Sequence, residues 1–148
     1  MGVVTTGKMN AKHYEAEIYA RHQHLYLSDE IATTISAKKF ETCFVGDVVI
    51  SAITLTELEY GITCSAEKQL ANQTALDDLL QDIPVATFDS RVARAYGPVR
   101  WATREHSRDA LDKLIAAHAI ALNTTLVTNN EADFRVFPGL TMENWVDN

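Results

Sequence analysis

The sequence predicts an α/β fold: a three-layer α/β/α domain built on a small, mostly parallel sheet. Three observations carry that expectation. Short β-branched runs alternate along the chain with longer stretches of helical periodicity. The run 47–53, Asp-Val-Val-Ile-Ser-Ala-Ile, is apolar nearly throughout, as a strand covered on both faces must be. The segment 108–119 places Leu111, Leu114, Ile115 and Ala119 at three- and four-residue intervals, continued by Leu122, and sets a carboxylate, Asp112, at the flank of that stripe. Strands that alternate with helices pair in parallel and bury both faces of their sheet.

In order along the chain, residues 1–24 show little hydrophobic pattern and hold three of the five histidines, His13, His22 and His24. They are expected as a polar lead-in, with the domain proper spanning 25–148. The histidines follow no repeated ligand spacing, which favours a solvated tail over a metal site. A short strand is expected at 24–27, a helix over 31–44 and the buried strand at 47–53. Helices follow over 55–63, with Thr54 or Thr56 as candidate cap, and over 67–81, where Leu70, Leu76, Leu79 and Leu80 supply the apolar side. A short strand at 84–87 leads into a helix opened by Asp89 or Ser90. Gly97-Pro98 is expected to interrupt that helix, because proline has no amide donor and crowds the preceding turn. The helix bearing Asp112, a strand at 124–128, a polar loop from Asn129 and a last strand at 140–142 complete the series.

Composition narrows the function classes. A chain of 148 residues, 47% hydrophobic, is the size of one domain with a sizeable core. It has no run of about twenty apolar residues and no signal-peptide pattern, so a soluble, cytoplasmic protein with no membrane partner is expected. Cys43 and Cys64 are too few for a disulfide framework and are read as packing residues. The net charge of −7 excludes binding that coats nucleic acid by bulk electrostatics, leaving room only for a local basic patch. There is no Gly-x-Gly-x-x-Gly turn, no Gly-x-x-x-x-Gly-Lys loop and no Gly-x-Ser-x-Gly elbow, which counts against nucleotide-binding and serine-hydrolase α/β enzymes.

Four segments in order carry a family resemblance: Val48-Val49-Ile50-Ser51-Ala52-Ile53-Thr54-Leu55-Thr56-Glu57-Leu58-Glu59-Tyr60-Gly61, then Asp112-Lys113-Leu114-Ile115-Ala116-Ala117-His118-Ala119, then Leu126-Val127-Thr128-Asn129-Asn130 through Asp133-Phe134, and finally Pro138-Gly139-Leu140 with Glu143-Asn144-Trp145. Together they resemble the VapC toxins, the PIN-domain ribonucleases of bacterial toxin–antitoxin pairs. The resemblance implies acidic residues converging at the strand ends, with Glu57, Asp112 and Asp133 matching the family's acids. It also implies a divalent cation, Mg²⁺ or Mn²⁺, an RNA substrate, a homodimer and a VapB-like antitoxin. The family's first motif, a strand ending in Leu-Asp-Thr-Asn, is altered here to Leu27-Ser28-Asp29-Glu30. An ungapped register puts Ser28 in the aspartate slot, and a shift of one residue brings in Asp29.

On this resemblance the expected metal ligands are Asp29, Glu57 and Asp112, with Asp133 as an outer ligand or water-positioning acid. Crowded carboxylates repel one another until a hard, oxygen-seeking cation arrives, and such a cation can lower the pKa of a bound water for phosphodiester hydrolysis. Thr128 and Asn130 are expected to hydrogen-bond water or phosphate. Arg100, Arg104 and Arg108, four apart and so on one helical face if that segment is continuous, either guide an RNA backbone or form a solvated face pairing with Glu105. Trp101 is expected to anchor its helix in the core, Trp145 to close the core, and His118 to pack or bind a backbone carbonyl. Two functions follow: a metal-dependent endoribonuclease toxin, or a catalytically impaired PIN-like module that binds an antitoxin or dimerises, for which the Ser28 position is the evidence.

Overall fold

The computed structural model describes residues 3–5, 48–106, 110–128 and 130–144. The strand expected at 24–27, the helix expected over 31–44, Cys43 and Trp145 lie outside the described residues. The elements are β1 (Val3–Thr5), β2 (Val48–Ser51), α1 (Ala52–Thr63), a 3₁₀ turn (Ala66–Lys68), α2 (Gln69–Asp82), β3 (Val85–Ala86), α3 (Ser90–Ala102), α4 (Ala110–Ala121), β4 (Thr125–Val127), α5 (Glu131–Phe134) and β5 (Thr141–Glu143).

The sheet order is β3-β2-β1-β4-β5. β2 pairs parallel with β3, and β4 parallel with β5, while β1 lies between the two pairs and runs antiparallel to both neighbours. Four strands therefore share one direction, as expected of a mostly parallel sheet, and the central strand alone opposes them. That central strand comes from the N-terminal lead-in. In its register Val3 stands opposite Ile50 and Val127, so the start of β1 meets the carboxyl ends of β2 and β4.

Alternation along the strands divides the core into two layers. Val48 and Ile50 of β2 and Val127 of β4 pack with Leu58, Ile62, Leu76, Leu79 and Ile83 from α1, α2 and the turn after α2. Leu126, one residue from Val127, points to the opposite face, where it meets Val99, Ile115, Ala116, Ala117, Ala119, Phe134 and Phe137, with Val49 packed alongside. Three small alanines let α4 lie close against its neighbours, and α3 packs extensively on α4.

Several expectations need correction. β2 ends at Ser51, two residues early, because the Ser51 hydroxyl accepts the Ile53 amide at 3.1 Å and starts α1 there; Ser51, not Thr54 or Thr56, is the cap. Leu70 is 80% exposed, since α2 begins at Gln69 and its buried stripe starts only at Leu76. Leu111 is 42% exposed, and the buried face of α4 runs instead from Lys113 to Ala119. Cys64 is exposed beyond the end of α1.

α3 continues through Gly97-Pro98 from Ser90 to Ala102. Gly97 has no Cβ to clash with the proline ring, Arg94 and Pro98 are exposed, and water can satisfy the Arg94 carbonyl that loses its amide partner. Asp89 caps this helix, accepting the Arg91 and Val92 amides at 2.9 and 3.3 Å.

Candidate active site

β2 and β4 run in the same direction, so their carboxyl ends share one edge of the sheet, and in α/β sheets ligands bind beyond that edge. α1 continues directly from β2 and carries Glu57, half-buried, in its second turn. α4 returns to β4 through a tight turn in which Asn123 adopts φ 52°, a left-handed conformation that asparagine tolerates. The start of α4 thereby comes to the carboxyl end of β4, and Asp112 sits half-buried in its first turn, where the helix dipole favours a carboxylate. α1 and α4 pack on one another, which brings the helices bearing Glu57 and Asp112 together.

Beyond β4 the residues are tied to each other. Thr128 is fully buried; its amide donates to the Glu143 carbonyl at 3.0 Å, and its hydroxyl accepts the Asn130 amide at 3.1 Å. The Asn130 side-chain amide donates to Asp133 Oδ2 at 2.6 Å. Asp133 is exposed on the short α5, so this acid is engaged by Asn130 at the rim. Asp29 and Arg108 lie outside the described residues. Among the described residues, no three His, Cys, Asp or Glu side chains gather into a group that holds a metal. Glu57 and Asp112 are both half-buried, and carboxylate oxygens of this kind are the donors that hard cations take.

Three arrangements were missed by sequence reasoning. His118 is completely buried, with Nδ1 2.8 Å from Ser51 Oγ and its ring edge-on to Phe88. It packs in the core, as expected, and its Nδ1 also meets a side-chain hydroxyl. The Ser51 hydroxyl thus serves two contacts, accepting the Ile53 amide and pairing with His118 Nδ1. Burial pushes the His118 pKa down, opposed in part by the Thr87 backbone and the Asp89 charge.

Next to Asp112, the buried Lys113 ammonium donates to the carbonyls of Thr103, at 3.2 Å, and His106, at 2.5 Å. It ties the end of α3 to the start of α4. Trp101, expected in the core, is 69% exposed, because it faces away from the Val92–Val99 side of α3 that packs inward. The Arg104 guanidinium lies over its ring, 4.3 Å from the centroid, and Arg100 sits 6.0 Å from the Tyr96 ring. The three-residue spacing of Trp101 and Arg104 is the sequence signal for the first of these contacts.

Residues 23–140 match the PIN domain family. The ribonuclease VapC2 of Rickettsia felis is 40% identical over 102 residues, covering 66% of this chain and 74% of that protein. The tRNA(fMet)-specific endonuclease VapC of Salmonella typhimurium is 35% identical over 101 residues, 65% of this chain and 74% of that protein. Among solved structures, the Rickettsia felis VapBC2 complex bound to a promoter DNA fragment aligns with a TM-score of 0.61 at 40% identity, covering 66% of this chain and 74% of that one. VapBC-1 of nontypeable Haemophilus influenzae aligns with a TM-score of 0.66 at 25% identity, over 74% of this chain and 83% of that one. With the family model matched over most of its length, the chain belongs to the PIN-domain family and is a VapC-like toxin.

Proposed function

We propose that the protein is a divalent-metal-dependent endoribonuclease, the toxin of a type II toxin–antitoxin pair, that hydrolyses RNA phosphodiester bonds with water as nucleophile. The observation that carries this reading is the placement of Glu57 and Asp112 on two mutually packed helices at the carboxyl edge of the sheet. These two acids hold Mg²⁺ or Mn²⁺, with Asp29 as third ligand. When bound, the ion supplies Lewis-acid stabilisation of phosphoryl charge and a more acidic water. Asp133, held by Asn130, orients water or an outer hydration shell, and buried Thr128 fixes the turn that presents Asn130. Arg100 and Arg104 draw the RNA backbone towards the site, with Arg108 extending the same basic segment.

The relatives support an RNA target and an antitoxin: two are named as a ribonuclease and a tRNA(fMet)-specific endonuclease, and the solved neighbours are VapBC complexes. A VapB-like antitoxin and a homodimer belong to the same proposal, as does a cytoplasmic location. No helix among the described residues is long and apolar enough to cross a membrane.

A second reading, a catalytically impaired module that binds antitoxin or dimerises, is favoured by one observation. The central strand runs against its neighbours and sets Val3 opposite Ile50 and Val127 at the carboxyl edge of the sheet, so among the described residues this strand brings no carboxylate there. Cleavage of a panel of structured RNAs by protein freed of antitoxin, with and without chelator, separates the two. Metal-dependent cutting supports the nuclease, whereas absence of both cutting and Mn²⁺ binding by calorimetry supports the impaired module.

A further inference from the structure

We propose that Trp101 and Arg104 form a stacking platform for an unpaired RNA base, placed beside the catalytic end of the molecule by Lys113. The proposal rests on the reading of this chain as an RNA-cleaving toxin and names the surface that would hold the substrate.

Trp101 contributes little to the core. Its indole stays 69% exposed even with a guanidinium stacked upon it, a costly way to display the largest apolar side chain unless something covers it. Arg104 is held in place by three contacts: Nη1 donates to the Trp101 carbonyl at 2.9 Å, the guanidinium sits 4.3 Å from the ring centroid, and Nε lies 3.7 Å from the exposed Glu105 carboxylate. The pair is thus a preformed flat surface whose positive charge is only weakly countered by the solvent-exposed Glu105, requiring little ordering when a base arrives.

The surroundings select a polyanion. The chain carries a net charge of −7, yet α3 from Ser90 to Ala102 contains Arg91, Arg94 and Arg100 and no acid. Arg91 is engaged by Asp89 at 2.9 Å, while Arg94 and Arg100 have no acidic partner among the described residues. Bases stack on aromatic rings and guanidinium planes, and the neighbouring arginines meet the phosphates. An unpaired nucleotide satisfies both features at once.

The platform is also coupled to the chemistry. The Lys113 ammonium grips the Thr103 and His106 carbonyls, which flank Arg104, and Lys113 directly follows Asp112. The end of α3 that bears Trp101 is therefore held against the first turn of α4 that bears Asp112. A base seated on the platform would lead its strand towards that carboxylate.

The test is fluorescence-anisotropy titration of the full chain with a fluorescein-labelled stem–loop RNA carrying an unpaired loop, in chelator so that nothing is cut. Trp101→Ala should weaken binding by about 5- to 100-fold, the usual effect of removing one stacked aromatic, and Trp101→Phe should restore most of it. Arg104→Gln should weaken binding and lower the salt slope by roughly one. Circular dichroism and gel filtration of each variant should match the parent, because both side chains are exposed. If the parent binds and cuts RNA and Trp101→Ala does so equally well, the platform is overturned while the nuclease reading stands. If Trp101→Ala keeps RNA affinity but loses dimerisation or capture of the antitoxin, the surface is a protein contact and the proposal is overturned. If the parent neither binds nor cuts RNA in any metal, the nuclease reading falls and takes the platform with it.

Discussion

Ser51 Oγ and His118 Nδ1 lie 2.8 Å apart, both completely buried, and join the end of β2 to the middle of α4. The same hydroxyl caps α1 through the Ile53 amide, so one small side chain fixes the strand end, the helix carrying Glu57 and the helix carrying Asp112. Ser51→Ala removes the cap and leaves Nδ1 buried without a partner. It should destabilise the protein by about 1–3 kcal/mol, read by urea denaturation. Ser51→Thr, which keeps a hydroxyl, should recover part of the loss.

Acid should weaken the same joint. Burial holds the His118 pKa below its ordinary value of about 6.5. Between the folded and unfolded pKa values the unfolded chain binds more protons, so stability falls as pH drops below about 6.5 and stops falling, for this group, once the folded pKa is passed. Thermal melts across that range should show the decline, and His118→Leu should flatten it. An unchanged slope in the variant would assign the acid sensitivity to carboxylates instead.

Lys113 should matter through position rather than charge balance. Its ammonium binds two backbone carbonyls at the α3–α4 junction, and Lys113→Met keeps the apolar stem while leaving the His106 carbonyl without that donor and the Thr103 carbonyl with the His106 amide alone. A loss of about 1–3 kcal/mol is expected, together with faster amide hydrogen exchange over 103–106. Faster exchange confined to α2 would contradict the role assigned to it.

The contrast between these joints and the sequence-based expectations has a physical cause. β2, β4, the helix over Asp112 and the alternation behind them were legible because burial on two faces demands continuous apolar runs, as in Val48-Val49-Ile50 and Leu126-Val127. The candidate acids Glu57 and Asp112 were legible only through their ordered place in a family pattern, since each alone is an ordinary helix carboxylate. Leu70, Leu111 and Trp101 were assigned to the core because they are large and apolar, yet exposure depends on which way a helix faces its sheet, and three-residue spacing alone does not fix that. The direction of β1 was not legible at all. Val3-Val4-Thr5 reads only as a short β-branched run, and its pairing with residues more than forty and more than a hundred positions away is set by tertiary structure.

The catalytic proposal turns on four acids, Asp29, Glu57, Asp112 and Asp133, of which Glu57 and Asp112 lie on packed helices. Glu57→Gln and Asp112→Asn each remove one charge from a hard-ion site without changing shape, so both variants should fold like the parent, and each should lower cleavage by at least about 100-fold. Chelator should abolish cleavage in the parent, and Mg²⁺ or Mn²⁺ should restore it. Asp133→Asn should cost less, because that acid sits at the rim and is already engaged by Asn130. If the parent is weak or inactive, Ser28→Asp is the informative variant. A gain of metal affinity by calorimetry together with cleavage would locate the deficit in the altered first motif, whereas no gain would assign it to the central strand that runs against its neighbours.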